Sequence, residues 1–168
     1  MIFITTGTTK FAFKRLLQNI DNFMQKNNSE EILIIQGGNT KYTFRYKNVK
    51  QYKFLDYKKV IDNLSKARLV ICHGGFGSVY LSLKYSKNIP VVVPRTFKNK
   101  EHVSDHQVDF VKHIALTEKV IAIFPQNNFY NKFSKIFKNP QKNFKSHKHW
   151  QKNINKIIRF LTKTTEGF

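Results

Sequence analysis

Two short clusters hold the residue types from which a binding site could be built. The first closes an apolar run, Leu69-Val70-Ile71-Cys72, with His73-Gly74-Gly75-Phe76-Gly77-Ser78. Glycines let a backbone approach an anion without a Cβ clash, and a helix starting behind them aims unpaired N–H groups at it. A diphosphate fits such a loop. Ser78 adds a hydroxyl donor, and His73 adds either a neutral donor or, when protonated, a cation beside the phosphates. The alternative reading is a tight strand-to-helix turn with no ligand. The pattern is not a P-loop, because no Gly-Lys-Ser/Thr follows, nor the dinucleotide fingerprint, because its glycine spacing and downstream acid are missing.

The second cluster is Glu101-His102 with Asp105-His106-Gln107. Its histidines stand four residues apart, so a short helix would put both on one face beside carboxylates, as a metal site requires. No third ligand is apparent, and sugar or phosphate contacts and ordinary helix capping are competing readings. Arg95, just after Pro94, could reach phosphates or simply end a strand in solvent. Cys72 lies inside an apolar strand and reads as a buried, inert thiol. His147-Lys148-His149 sits in a lysine-rich stretch and reads as solvated or phosphate-facing.

These clusters need elements to hold them. Met1 to Thr6 reads as a strand ended by Gly7, and Phe13, Leu16, Leu17, Ile20, Phe23 and Met24 recur at helical spacing. Further strands are expected at Glu31 to Gln36, ended by Gly37-Gly38, at Asn48 to Phe54, at Arg68 to Cys72, at Ile89 to Val93 and at Lys119 to Phe124. Helices are expected at Asp56 to Ala67, Gly77 to Lys87 and Ser104 to Leu116, with a last amphipathic helix from about His149. Strands alternating with helices imply right-handed crossovers and a mainly parallel, doubly wound α/β sheet. Ligands in such sheets bind beyond the carboxyl ends of the strands, where six of the seven glycines fall. Residues 1–140 are read as the α/β domain and 141–168 as a basic segment with its helix.

The chain has 168 residues, with 30 Lys+Arg against 10 Asp+Glu and a formal charge of +20. With 40% hydrophobic and 14% aromatic residues it is too apolar for a disordered basic tail. One cysteine excludes an intrachain disulfide, and no apolar run approaches the roughly 20 residues of a membrane-spanning helix. No secretory signal is visible at Met1, so a cytoplasmic location is expected. The surplus charge suits nucleic acid, an anionic leaflet or phosphate-bearing small molecules. It is uneven: residues 129–168 hold ten Lys+Arg and one acid, Glu166. A lysine-rich solvated surface is the plainer account.

The stretch HGGFGS, then a helix, IPVVVPR and EHVSDHQ resembles the C-terminal, donor-binding half of family 28 glycosyltransferases, one half of a GT-B enzyme. It is most similar to the small bacterial capsule and exopolysaccharide subunits that act beside a membrane-anchored partner. The similarity extends from ITTGTTKFAFKRL to about Ile123. The resemblance implies that Gly74 to Ser78 bind the diphosphate of a UDP-sugar with His73 at their edge. It also implies that Gly7-Thr8-Thr9 line the same cleft and that Asp105-His106-Gln107 face the sugar hydroxyls. Many relatives hold the ribose with a glutamate on the helix after the glycine loop. Leu81 stands at that position here, with Glu101 as a substitute to test.

The resemblance further implies an inverting, UDP-sugar-dependent hexosyltransferase that needs no separate cofactor. Its acceptor would be a polyprenyl-linked saccharide at the cytoplasmic face of a membrane. No general base is evident, and the acceptor half is expected on the partner subunit. The basic C-terminal segment would then meet that partner or an anionic leaflet. Two rival readings stand. One is a nucleic-acid-binding module, suggested by the charge and by Lys41-Tyr42-Thr43-Phe44-Arg45-Tyr46-Lys47, although these aromatics alternate at strand spacing and could pack in the core. The other is a noncatalytic regulatory subunit that kept the donor fold.

Overall fold

The computed structural model describes residues 1–141. Its elements are β1 (Ile2–Thr5), α1 (Lys14–Lys26), β2 (Leu33–Gln36), β3 (Val49–Tyr52), α2 (Tyr57–Lys66), β4 (Leu69–His73), α3 (Phe76–Tyr85), β5 (Val91–Val93), α4 (His106–Ala115), β6 (Ile121–Ala122) and α5 (Phe129–Lys138). The six strands form one sheet in the order β3-β2-β1-β4-β5-β6, and every pairing is parallel. This is the doubly wound α/β fold that the alternation of elements predicts.

The period of two along each strand decides which helices cover which face. Ile2, Ile4, Leu33, Ile35, Leu69, Ile71, Val91 and Val93 point to the side closed by α1 and α5. Phe3 and Val70 point the other way, onto Leu64 of α2. Cys72 and Val92 share that second face with Val79 and Leu83 of α3 and Phe110, Val111 and Ile114 of α4. Both faces are therefore dry, as near-continuous apolar strands require. The strand order reverses between β1 and β4, so the loops after these two strands diverge to opposite faces and leave a crevice between them.

Several expected elements are shorter than their apolar runs. Strand β5 begins at Val91 because Pro90 has no N–H, while Ile89 N–H donates to the Gln141 carbonyl at 2.7 Å. Strand β6 keeps two residues: Glu118 turns the chain at φ 57°, and Phe124 N–H is taken by Asn127 Oδ1 at 2.8 Å. Helix α4 starts at His106 rather than Ser104, so the segment before it is irregular.

Two features differ in kind. Helix α5 was not among the expected elements, yet Phe129, Phe133, Ile136 and Phe137 recur at helical spacing, and Asn128 Oδ1 caps it by accepting from Asn131 N–H at 3.0 Å. Its lysines had drawn attention away from its apolar stripe. The segment 41–47, strand-like in its alternation, is not a strand but an irregular strap held on α1. Asp21, fully buried on α1, accepts from Tyr42 Oη at 2.9 Å, Arg45 N–H at 3.1 Å and Tyr46 N–H at 2.9 Å. Tyr42, Phe44 and Tyr46 pack against the core, as the alternative reading of these aromatics had it. The helix expected from about His149 and the segment His147-Lys148-His149 lie outside the described residues. Among the described residues no helix is long and apolar enough to cross a membrane.

Candidate functional site

The turns that end β1, β2 and β4 meet at the switch point, and glycines make the meeting possible. Gly7 has φ +81° and Gly38 φ +56°. A Cβ on Gly38 would lie 2.2 Å from the Gly7 carbonyl oxygen, so the turn after β2 rests directly on the turn after β1. The Thr6 hydroxyl fastens them by donating to the Gly37 carbonyl at 2.6 Å. On the other side the His73 ring is wedged between two glycines. A Cβ on Gly7 would lie 2.6 Å from His73 Nε2, and one on Gly75 would lie 2.3 Å from the same atom.

Burial keeps His73 neutral. Its pKa is lowered to about 4, chiefly by desolvation and then by the positive charge of Arg95, while the Thr5 backbone pulls the other way. Of the two roles the sequence allowed, the neutral donor or acceptor is the one this environment favours. Its Nδ1 is buried with no hydrogen-bond partner.

Beside this wedge opens a cleft of about 460 Å³. Gly7, Thr8, Thr9, His73, Gly75, Phe76, Gly77 and Ser78 line one part of it. Helix α3 starts there with Gly75 as N-cap, no side-chain cap and no acidic residue in its first turn. The N–H groups of its opening residues therefore face the cleft with a favourable helix dipole for an anion. The opposite wall is apolar: Leu55, Val60, Leu64, Leu81 and Phe3, with Tyr57 at its edge. Gln36 sits between the two parts, with its Nε2 donating to Thr5 Oγ1 at 3.3 Å and its Oε1 accepting from Leu55 N–H at 3.1 Å.

The remaining expected residues sit elsewhere. Gly74 backs the cleft; a Cβ there would meet Val111 Cγ2 at 2.8 Å. Arg95 neither lines the cleft nor meets solvent. It is 1% exposed, and its guanidinium donates to the carbonyls of Thr6, Phe11, Ala12 and Glu101. Burial lowers its pKa to about 10, against the pull of Glu101, so it remains a cation at neutral pH. Glu101 is buried and its oxygens are occupied. Oε1 accepts from Arg15 Nε at 2.8 Å, and Oε2 from Arg15 Nη2 at 2.9 Å and Thr96 N–H at 3.0 Å. A carboxylate so engaged is a brace for the loop after β5, and Glu101 is buried and does not line the cleft.

The second cluster also divides. Gln107 is buried and accepts from Arg95 N–H at 3.2 Å, and Asp105 Oδ1 accepts from Phe97 N–H at 2.8 Å. His102 lies in the irregular segment with its ring 6.0 Å from that of Phe11, whereas exposed His106 opens α4. The two histidines thus do not share a helix face. Among the described residues no three His, Cys, Asp or Glu side chains gather closely enough to hold a metal. Cys72 is buried, and burial pushes its thiol up to about 12, the inert state expected of it.

Sequence reading missed the apolar wall, above all Leu55, Val60 and Leu64, and it missed Arg15. The available signal for the wall was position. Gln36 ends β2 and Leu55 follows β3, on the side of β1 opposite to β4, so they border the same switch point.

The family model for the glycosyltransferase family 28 C-terminal domain matches residues 1–159. No match was found among curated proteins. Among solved structures, the flavodoxin-like domain of a Synechococcus sp. protein is similar at 11% identity with a TM-score of 0.47, over 80% of this chain and 92% of that one, a likeness too low to bear on function.

Proposed function

The chain belongs to the family 28 glycosyltransferases through their C-terminal domain, and we propose that it takes the sugar from a UDP-sugar and transfers it, with inversion, to a polyprenyl-linked saccharide. The observation that carries the donor reading is the two-part cleft. Glycine loops and a helix N-terminus at one part suit a diphosphate, and the apolar wall at the other suits the flat face of a nucleobase. A nucleoside diphosphate spans both.

In this reading the N–H groups at the start of α3 and the hydroxyls of Thr8, Thr9 and Ser78 stabilise charge that develops on the departing diphosphate. His73, neutral and wedged, orients rather than neutralises. The acceptor's general base is assigned to a membrane-anchored partner subunit or to the junction with it, in capsule or exopolysaccharide synthesis. The strongly basic segment 142–168 would bring the chain to that partner and to an anionic cytoplasmic leaflet. The aromatic run that suggested nucleic acid is already engaged by Asp21 and the core.

Gly77→Asp is the test. A Cβ at Gly77 meets nothing within 4 Å, and an acid in the first turn of α3 favours the helix, so the variant stays folded. Its carboxylate stands in the cleft, and UDP affinity by calorimetry is expected to fall about a hundredfold or more, since like charges in contact cost several kcal/mol. Unchanged UDP binding would sink the donor reading. Turnover of a UDP-sugar panel with the partner and anionic vesicles present, compared with the chain alone, tests the finer assignment.

A further inference from the structure

The loop that lines the cleft from β1, residues 7–10, has little to hold its shape locally. Gly7 N–H reaches Thr5 Oγ1 at 3.3 Å, and Asn39 Nδ2 reaches the Thr9 carbonyl at 3.0 Å. Its two stems, however, converge on one side chain from the loop after β5. Arg95 Nη2 donates to the Thr6 carbonyl just before the loop, and Nη1 donates to the Phe11 and Ala12 carbonyls just after it, at 2.8 and 3.3 Å. The guanidinium also lies over the Phe13 ring at 4.8 Å. It therefore bridges both ends of the loop and gives the turn a closed outline.

The same residue is fixed from the β5 side. Its Nη1 donates to the Glu101 carbonyl at 3.0 Å, and its backbone N–H donates to Gln107 Oε1 at 3.2 Å. Arg15 on α1 completes the frame by pairing with both Glu101 oxygens and donating to the Pro94 carbonyl at 2.9 Å. The loops after β1 and β5 are thus joined through one buried planar cation. A lysine in its place carries the charge on a single nitrogen and lacks the rigid fork that meets separated carbonyls.

We infer that Arg95 is a positioning residue: it touches no ligand and sets the shape of the residue 7–10 loop that receives the diphosphate. This rests on the donor reading given above, but the loop-shaping part can be measured without any ligand.

The experiment compares Arg95→Lys, Arg15→Met and a remote core variant, Ile20→Val, by peptide-level hydrogen exchange and by calorimetry with UDP. In Arg95→Lys, exchange over residues 6–12 is expected to rise about tenfold while α1 is unchanged, and UDP affinity is expected to fall about tenfold, as loss of charged hydrogen bonds implies. Arg15→Met, at a partly exposed site, should show the same pattern at about threefold and serves if Arg95→Lys fails to fold. Ile20→Val should lower stability without either effect.

Unchanged exchange over residues 6–12 overturns the inference. Faster exchange there with unchanged UDP affinity overturns the positioning role, and an equal effect in Ile20→Val shows only general loosening and overturns it too. Failure of the unaltered chain to bind UDP removes the donor reading, and the exchange comparison alone then decides whether Arg95 shapes the loop.

Discussion

Gly75 and Gly77 lie two residues apart at the start of α3, and the structure assigns them opposite responses to the same substitution. Gly75 has φ −74° and ψ 132°, a conformation open to any residue, so an alanine there meets no backbone strain. The obstacle is the His73 ring. The added Cβ would stand 2.3 Å from Nε2, more than 1 Å inside ordinary contact at 3.4 Å, and 2.9 Å from Cδ2. The ring cannot retreat, because its other side already rests on Gly7, where an added Cβ would be only 2.5 Å from Cε1. Overpacking of this kind costs about 1–3 kcal/mol, and the lack of an exit places Gly75→Ala at the upper end. For a domain of this size the melting temperature should fall by roughly 5–10 °C.

Gly77 meets nothing within 4 Å and lies inside α3, so Gly77→Ala should gain up to about 1 kcal/mol by restricting the unfolded chain. Differential scanning calorimetry of both variants, with urea unfolding as a second measure, checks the pair. A Gly75→Ala protein as stable as the parent would refute the wedge, as would a Gly77→Ala protein that is clearly less stable.

Two further outcomes are expected. Asp21→Ala leaves the Tyr42 hydroxyl and the N–H groups of Arg45 and Tyr46 without their acceptor, so urea unfolding should show a loss of about 3 kcal/mol, with Asp21→Asn losing less. His73, with its pKa lowered to about 4 by burial, binds its proton less readily than in the unfolded chain, where it titrates near 6.5. Its contribution is therefore full above about pH 6.5 and declines as pH falls toward 4. Between pH 7 and pH 5 the parent should lose about 2 kcal/mol more stability than His73→Asn, and parallel curves for the two would contradict a neutral, buried ring.

Much of the fold was legible because most strands, β3 excepted, are short apolar runs with a glycine or proline soon after, and the helices repeat apolar residues on one face. The glycine loop after His73 was legible for the same reason: a glycine-rich turn between a strand and a helix is a local pattern. Arg95 and Glu101 were not. As sequence, each is a charged residue in the loop region after a strand, ordinarily solvent-facing or ligand-facing, and their burial depends on carbonyls from the segment after β1 and a guanidinium from α1 that only the tertiary fold delivers. The apolar wall escaped notice because Leu55, Val60 and Leu64 look like ordinary packing residues of α2 and its approach. Their cleft-facing role follows from β3 and β2 lying beyond β1 in the sheet.

The charge of +20 separates once the fold is known. Lys132, Lys135 and Lys138 of the basic C-terminal region belong to α5, whose apolar side closes the sheet; residues 142–168 then hold seven Lys+Arg and one acid. The cleft itself is lined by backbone N–H groups, hydroxyls and a neutral imidazole, and Arg95, which holds the ends of the loop after β1, is buried behind it. A charge in such a low-dielectric position acts strongly over a few ångströms and is little weakened by salt. Surface lysines act the other way, collectively and over about 10 Å, and salt screens them. On the function proposed above, recognition of a small phosphate donor and attraction to a large anionic surface would therefore draw on different cations. The composition of the chain speaks mainly to the second, while the geometry at the strand ends speaks to the first.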